Sequence, residues 1–130
     1  MARPMILAFN LTDARLAKLR FLCMKLGTLV KVVPPEDFTQ PIAVLAGLAE
    51  GTEAPEAEPF TDEMIMFCHM DNALVNRFIQ TARQQRVPAF PLKAILTPTN
   101  AAWTPAALCA ELKEEREAIL RSRQAHQADL

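Results

Sequence analysis

Residues 5–16 read Met-Ile-Leu-Ala-Phe-Asn-Leu-Thr-Asp-Ala-Arg-Leu, and 59 positions later residues 64–75 read Met-Ile-Met-Phe-Cys-His-Met-Asp-Asn-Ala-Leu-Val. Each is an apolar run that meets a short polar residue and turns into a helix-like pattern. Met5 to Leu11, apolar apart from Asn10, suits a strand buried on both faces. Thr12 offers a side-chain oxygen to a helix start, with Leu11 and Leu16 spaced to close over it as a hydrophobic staple. In the second stretch Glu63 to Met70 is the run, Asp71 is the cap, and Met70 and Val75 are the staple pair. Met70, Asp71 and Val75 each lie 59 positions after Leu11, Thr12 and Leu16. Residue identity between the halves is near chance, so an internal duplication rests on element order and cap register.

The pattern extends outward from both stretches. Leu16, Leu19, Leu22, Cys23 and Leu26 recur at helical spacing as a core-facing stripe, which places Arg15, Lys18 and Lys25 outside. Gly27 fits the left-handed residue that ends such a helix. Thr28 to Val33 reads as a second strand, stopped by Pro34-Pro35, which cannot donate to a ladder. Pro41 opens a short apolar helix through Leu45, closed by Gly47. In the second half Leu74, Phe78 and Ile79 continue a buried face, Phe90 to Leu96 reads as a strand, and Pro105 begins a helix running to about Gln124. The predicted domain is single: halves 1–48 and 63–124, an acidic, proline-rich linker over 49–62, and a polar tail over 125–130.

This order, strand-helix-strand-helix twice, predicts an α/β (α+β) fold with a four-stranded sheet. The first and third strands are uniformly apolar and belong at the centre. The second and fourth each carry a lysine, Lys31 and Lys93, which suits edges. Two arrangements satisfy this. One is a ferredoxin-like split βαβ with strand order 4-1-3-2. The other is a small parallel sheet in the order 2-1-3-4 with helices on both faces. The first is favoured because the connector over 47–62 is long enough for the reversal.

Composition narrows the function. The 130 residues are 51% hydrophobic and 22% charged, with a net charge of −1, ordinary for one globular domain with its own core. The charge is segregated: residues 49–63 hold six acids and no base, between two mildly basic halves. Cys23, Cys68 and Cys109 are scattered, with no CxxC, and read as reduced core thiols. The first apolar run is too short for a signal-peptide core, and no stretch approaches the roughly 20 apolar residues needed to span a bilayer. A cytoplasmic protein with no membrane contact is expected.

The candidate site lies at the end of the fourth strand, where residues 92–105 read LKAILTPTNAAWTP. Thr104 as N-cap, Pro105 at the first helical position, and Trp103 with Leu108 as a staple account for the helix start. Thr97, Thr99 and Asn100 crowd the strand end beyond what a turn requires. With Lys93 nearby and a helix N-terminus beside them, Lys93, Thr97, Thr99, Asn100, Trp103 and Thr104 could hold a small anion. The competing reading is that Thr and Asn satisfy the turn backbone themselves.

The block PLKAILTPTNAAWTPAALCAELKEERE resembles the C-terminal signature of a bacterial family, domain of unknown function 3783. Its members read Pro-Leu-Lys-Ala, Leu-Thr-x-Thr-Asn, Trp-Thr, then a leucine-rich helix ending in Lys-x-Glu. The preceding EMIMFCHMDNALVNRFIQ is similar to the strand and helix before that signature, and EDFTQP and LAG in the first half resemble longer members. His69 departs from the pattern, standing where the resemblance implies glycine. The resemblance supports the fold and the cytoplasmic expectation and implies no activity.

Most chemistries lack their residues. The sole serine, Ser122, lies in a polar helix end, which leaves a Ser-His-Asp arrangement without a nucleophile. Three glycines build neither GxGxxG nor a P-loop. Two separated histidines and dispersed cysteines form no metal set, and no cofactor is expected. Cys68, near a strand end before a capped helix, is a candidate reactive thiol, but its strand neighbour His69 should point to the opposite face. Glu36-Asp37 has no partner and should favour the helix start near Pro41. Arg15, Lys18, Lys25, Arg77, Arg83 and Arg86 could make basic faces, yet no RNP-like pattern accompanies them, so nucleic acid is not the expected partner. In the last helix Glu115 and Arg116 interrupt the stripe of Leu108 and Leu112 before Ile119 and Leu120 resume it, which suggests docking on a second copy. The reading is a non-catalytic, self-associating binding domain, with a sensor of a small anionic metabolite at Thr97–Thr104 as the alternative and a thiol enzyme using Cys68 as the third.

Overall fold

The structure, a computed structural model, describes residues 3–48 and 60–128; most of the acidic linker (49–59) and residues 129–130 of the tail lie outside them. Its elements are β1 (Met5–Phe9), α1 (Asp13–Leu26), β2 (Leu29–Val32), α2 (Ile42–Leu45), β3 (Met64–Cys68), α3 (Asn72–Gln84), β4 (Leu92–Ile95) and α4 (Pro105–Ala128), with 3-10 turns at Pro35–Asp37 and Asn100–Ala102. The caps are the expected ones. Thr12 accepts from the Arg15 N–H and Asp71 from the Leu74 N–H, which satisfies donors that a helix start leaves unpaired.

The strands form one sheet in the order β2-β1-β3-β4. β1 and β3 run antiparallel, with Leu7 opposite Met66, while β2 pairs parallel to β1 and β4 parallel to β3. The apolar strands are therefore central and the lysine-bearing ones are edges, as expected. The split ferredoxin-like order 4-1-3-2 is not formed. The order is that of the alternative, but its all-parallel sheet is corrected to a mixed one. The physical reason is that each crossover lays its second strand directly beside its first. After β2, the chain enters α2, whose Ile42 and Leu45 are buried on the face opposite α1. That carries it across the sheet to begin β3 on the far side of β1.

Alternation along the strands splits the core in two. Leu7, Phe9, Met64, Met66 and Cys68 face α2 and α4, where Ile42, Leu45, Leu108 and Cys109 meet them. Ile6, Ala8, Ile65 and Phe67 face α1 and α3, against Leu19, Leu22, Val75 and Phe78. The result is a three-layer sandwich. Phe60 and Asp62, read as linker, are anchored in it. Phe60 stacks on Phe38 at 4.7 Å, and the Asn10 amide donates to the carbonyls of Phe60 and Asp62 at 3.1 Å.

The halves correspond in detail. Asn10 and His69 both take positive φ, at 60° and 59°, and so do Gly27 and Arg86, at 67° and 57°. The bond from the Thr28 N–H to the Cys23 carbonyl has its counterpart from Val87 to Ala82. β1 maps onto β3 with a shift of 59 positions, whereas β2 maps onto β4 with a shift of 63. The second half thus carries four extra residues before its edge strand. This is why Phe90, expected in β4, is a buried residue outside it.

Arg15, placed outside by the helical stripe, is instead the clamp on that insertion. Its guanidinium makes a fork with Glu63, the closest contact being 2.7 Å, and donates to the carbonyls of Pro88 and Ala89 at 2.8 and 3.2 Å. It also lies 4.2 Å from the Phe90 ring centroid. The planar five-donor group suits such a site, where one side chain must satisfy a carboxylate and two carbonyls together. Glu36 and Asp37 sit in a 3-10 turn of their own rather than at the start of α2. Among the described residues no helix is long and apolar enough to cross a membrane.

Candidate interaction surface

The candidate site residues named from the sequence lie on β4 and in the segment between β4 and α4. The last ladder bond runs from the Leu96 N–H to the Phe67 carbonyl, so alternation turns the backbone of Lys93 and Ile95 toward the open edge of the sheet. Asn100 covers part of that edge. Its Nδ2 donates to the Ile95 carbonyl at 3.0 Å, its Oδ1 accepts from the Thr97 N–H at 2.9 Å, and its own N–H donates to Thr97 Oγ1 at 3.1 Å. Asn100 is buried, so both ends of its amide are used inside the loop. Trp103 accepts at its carbonyl from the Ile42 N–H at 2.8 Å, tying the loop to α2, and Thr104 Oγ1 caps the Ala107 N–H at 3.3 Å.

Lys93, Thr97, Thr99, Asn100 and Trp103 line one cleft of about 480 Å³, whose other walls are Val75 and Ile79 of α3 and Leu112, Glu111 and Glu115 of α4. Thr104 is absent from this lining and acts as a helix cap. The Lys93 ammonium donates to the Phe90 carbonyl at 3.3 Å, and the cleft it lines also holds the side chains of Glu111 and Glu115. The cleft is mostly apolar, with its amide groups turned inward, an arrangement suited to excluding water from an apolar partner. Glu111 and Glu115 were not among the predicted site residues, although their helical spacing from Leu108 and Leu112 was the available signal.

A second cleft of about 490 Å³ adjoins the first, sharing Lys93, Leu112 and Glu115. It runs between residues 89–93 and the outer part of α4, where Arg116, Ile119, Leu120 and Arg123 line it. From Lys113 to Arg123 every residue of α4 is exposed. Ile119 is 54% and Leu120 48% exposed. The helix outruns the sheet because β3 and β4 are only five and four residues long, while α4 has 24.

Cys68 lies elsewhere. It is fully buried, with its sulfur 3.9 Å from the Met66 carbonyl. Burial pushes the thiol up to about 12, a rise only partly opposed by the Lys31 ammonium. His69 leaves the strand in left-handed conformation and places Nε2 3.1 Å from the Ala46 carbonyl, beside the Lys31 bond to the Leu45 carbonyl at 2.9 Å. Both side chains thus cap the end of α2. Glycine would adopt this positive φ at no steric cost, and His69 holds it with a side chain. Among the described residues no group of three or more His, Cys, Asp or Glu could hold a metal ion.

Comparison with curated proteins yields no match, and neither does comparison with solved structures. A match to a family does emerge, over β3, α3, β4 and the first part of α4, without reaching the first half of the chain. Residues 63–119, somewhat less than half of the chain, match the model of the family described as Domain of unknown function (DUF3783).

Proposed function

We propose that the protein is a non-catalytic interaction domain that self-associates through the outer part of α4. The observation that carries this reading is the run of eleven exposed residues, Lys113 to Arg123, holding Ile119 and Leu120 in the open. Helical stretches without tertiary packing are marginal in water. Two large apolar side chains beside a cleft therefore favour a partner surface that covers both. The three buried free thiols are in keeping with a reducing, cytoplasmic setting.

The alternative, a sensor of a small anionic metabolite at Lys93, Thr97, Thr99, Asn100 and Trp103, is weakened by Glu111 and Glu115 in the same cleft and by the internal use of the Asn100 amide. A thiol enzyme using Cys68 is disfavoured by the raised pKa and by full burial. Light scattering of the parent and of an Ile119→Asp, Leu120→Asp variant tests the proposal. The parent is expected to be a dimer and the variant a monomer with the same circular dichroism. A variant that scatters like the parent removes it.

A further inference from the structure

We infer that the second copy lies antiparallel along α4, with the two Ile119 side chains opposed and Glu115 of each chain beside Arg123 of the other. This rests on the self-association proposed above and adds the orientation and register. Charge along the exposed part of the helix is segregated. From Glu111 to Glu117 there are four acids (Glu111, Glu114, Glu115, Glu117) and two bases (Lys113, Arg116); from Ala118 to Arg123 there are two arginines and no acid. A parallel pair would set acid against acid and arginine against arginine. An antiparallel pair sets each acidic stretch against a basic one, and complementary potentials of this kind fix register in helix pairs.

Ile119 is the natural centre. Glu115 and Arg123 lie four residues before and after it, about 6 Å along the axis on nearly one face. That face continues the stripe of Leu108 and Leu112, so it also borders the cleft beside Phe90, Pro91 and Lys93. Among the described residues neither Glu115 nor Arg123 forms an ion pair within its own chain. Both charges are therefore available to a partner, and a two-fold axis through Ile119 satisfies them twice, as an isologous interface requires.

Sedimentation equilibrium of the full chain with charge reversals tests the register. Glu115→Arg alone and Arg123→Glu alone each turn two attractive contacts into repulsive ones, and each should weaken dimerisation about tenfold. The double variant restores opposite charges across the axis and should return to within about threefold of the parent. Both positions are exposed, so circular dichroism should be unchanged in all three variants. Reversals that leave a dimeric parent unaffected, or a double variant no tighter than the singles, overturn the antiparallel register while leaving self-association standing. A parent that stays monomeric at every concentration removes both.

Discussion

Asn10 and His69, 59 positions apart, leave their strands through the same left-handed bend, with φ of 60° and 59°. Each bend lies two residues before a helix cap, Thr12 or Asp71, and each side chain reaches a carbonyl of another segment: Asn10 holds Phe60 and Asp62, and His69 meets Ala46. The two halves thus use one backbone device to turn a central strand into a helix. They differ in what the bend then secures, the end of the linker in one and the end of α2 in the other.

Arg86 occupies the position matched to Gly27, and its φ of 57° is a conformation that costs a side-chain-bearing residue about 1 kcal/mol. Arg86→Gly should therefore stabilise the protein by about 1 kcal/mol in urea unfolding, tempered by the unfolded-state entropy of glycine. Gly27→Ala should destabilise it by a similar amount, although an added Cβ there meets nothing within 4 Å. Equal midpoints for Arg86→Gly and the parent would contradict the matched-bend account.

Arg15→Met should cost about 3 kcal/mol, because it strands Glu63 without its counter-ion and releases Pro88 and Ala89. Arg15→Lys should recover less than half of that, since one ammonium cannot serve a carboxylate and two carbonyls in that plane. Thermal denaturation with a denaturant series checks both, and a Lys variant equal to the parent would contradict the clamp.

Asn100→Ala should destabilise by about 2 kcal/mol, since it removes two side-chain hydrogen bonds of a buried residue and leaves the Ile95 carbonyl at the strand end without its partner. Trp103, the single tryptophan, lies in the same cleft and reports the change in its emission. Titration of the parent with inorganic phosphate should leave that emission unchanged, because the cleft offers one ammonium against two carboxylates. A saturable shift would restore the anion reading.

The thiols of Cys23 and Cys68 are pushed from about 9 to about 12 by burial. A raised folded pKa means that the unfolded chain gives up these protons first as pH rises. Their contribution is whole below pH 9 and is lost progressively toward pH 12. Unfolding free energy should fall in that window by up to about 1.4 kcal/mol per pH unit for each thiol. The Cys23→Ala, Cys68→Ala variant should show a shallower decline; an identical slope would assign the loss to other groups. Iodoacetamide should modify Cys68 far more slowly than an unfolded thiol.

Strands and caps were legible from local signals, because each depends on residues within a few positions of one another. Which strands are central was equally legible, through apolar runs in β1 and β3 and lysines in β2 and β4. The pairing of each edge strand beside its own predecessor was not, since it is set by where α2 packs and carries no local mark. Arg15 escaped for the same reason: Glu63 and Phe90 are 48 and 75 positions away, and the helical stripe assigned it to solvent. The Thr97–Thr104 segment lies between β4 and α4, as the local signals implied. The Asn100 amide and Thr97 hydroxyl serve nearby backbone, while Glu111 and Glu115, which bring negative charge to the cleft, reach it from a helix read for its apolar stripe and its self-association.

Hydrogen exchange of the amides from Lys113 to Arg123, followed across protein concentration, tests the central claim most directly. A helix end exposed along its length, as Lys113 to Arg123 is, opens more readily in a monomer than when a second copy covers it. The account predicts protection in this segment that rises with concentration while the amides of β1 and β3 stay constant. Exchange near the random-coil rate at every concentration, or protection that ignores concentration, would contradict it.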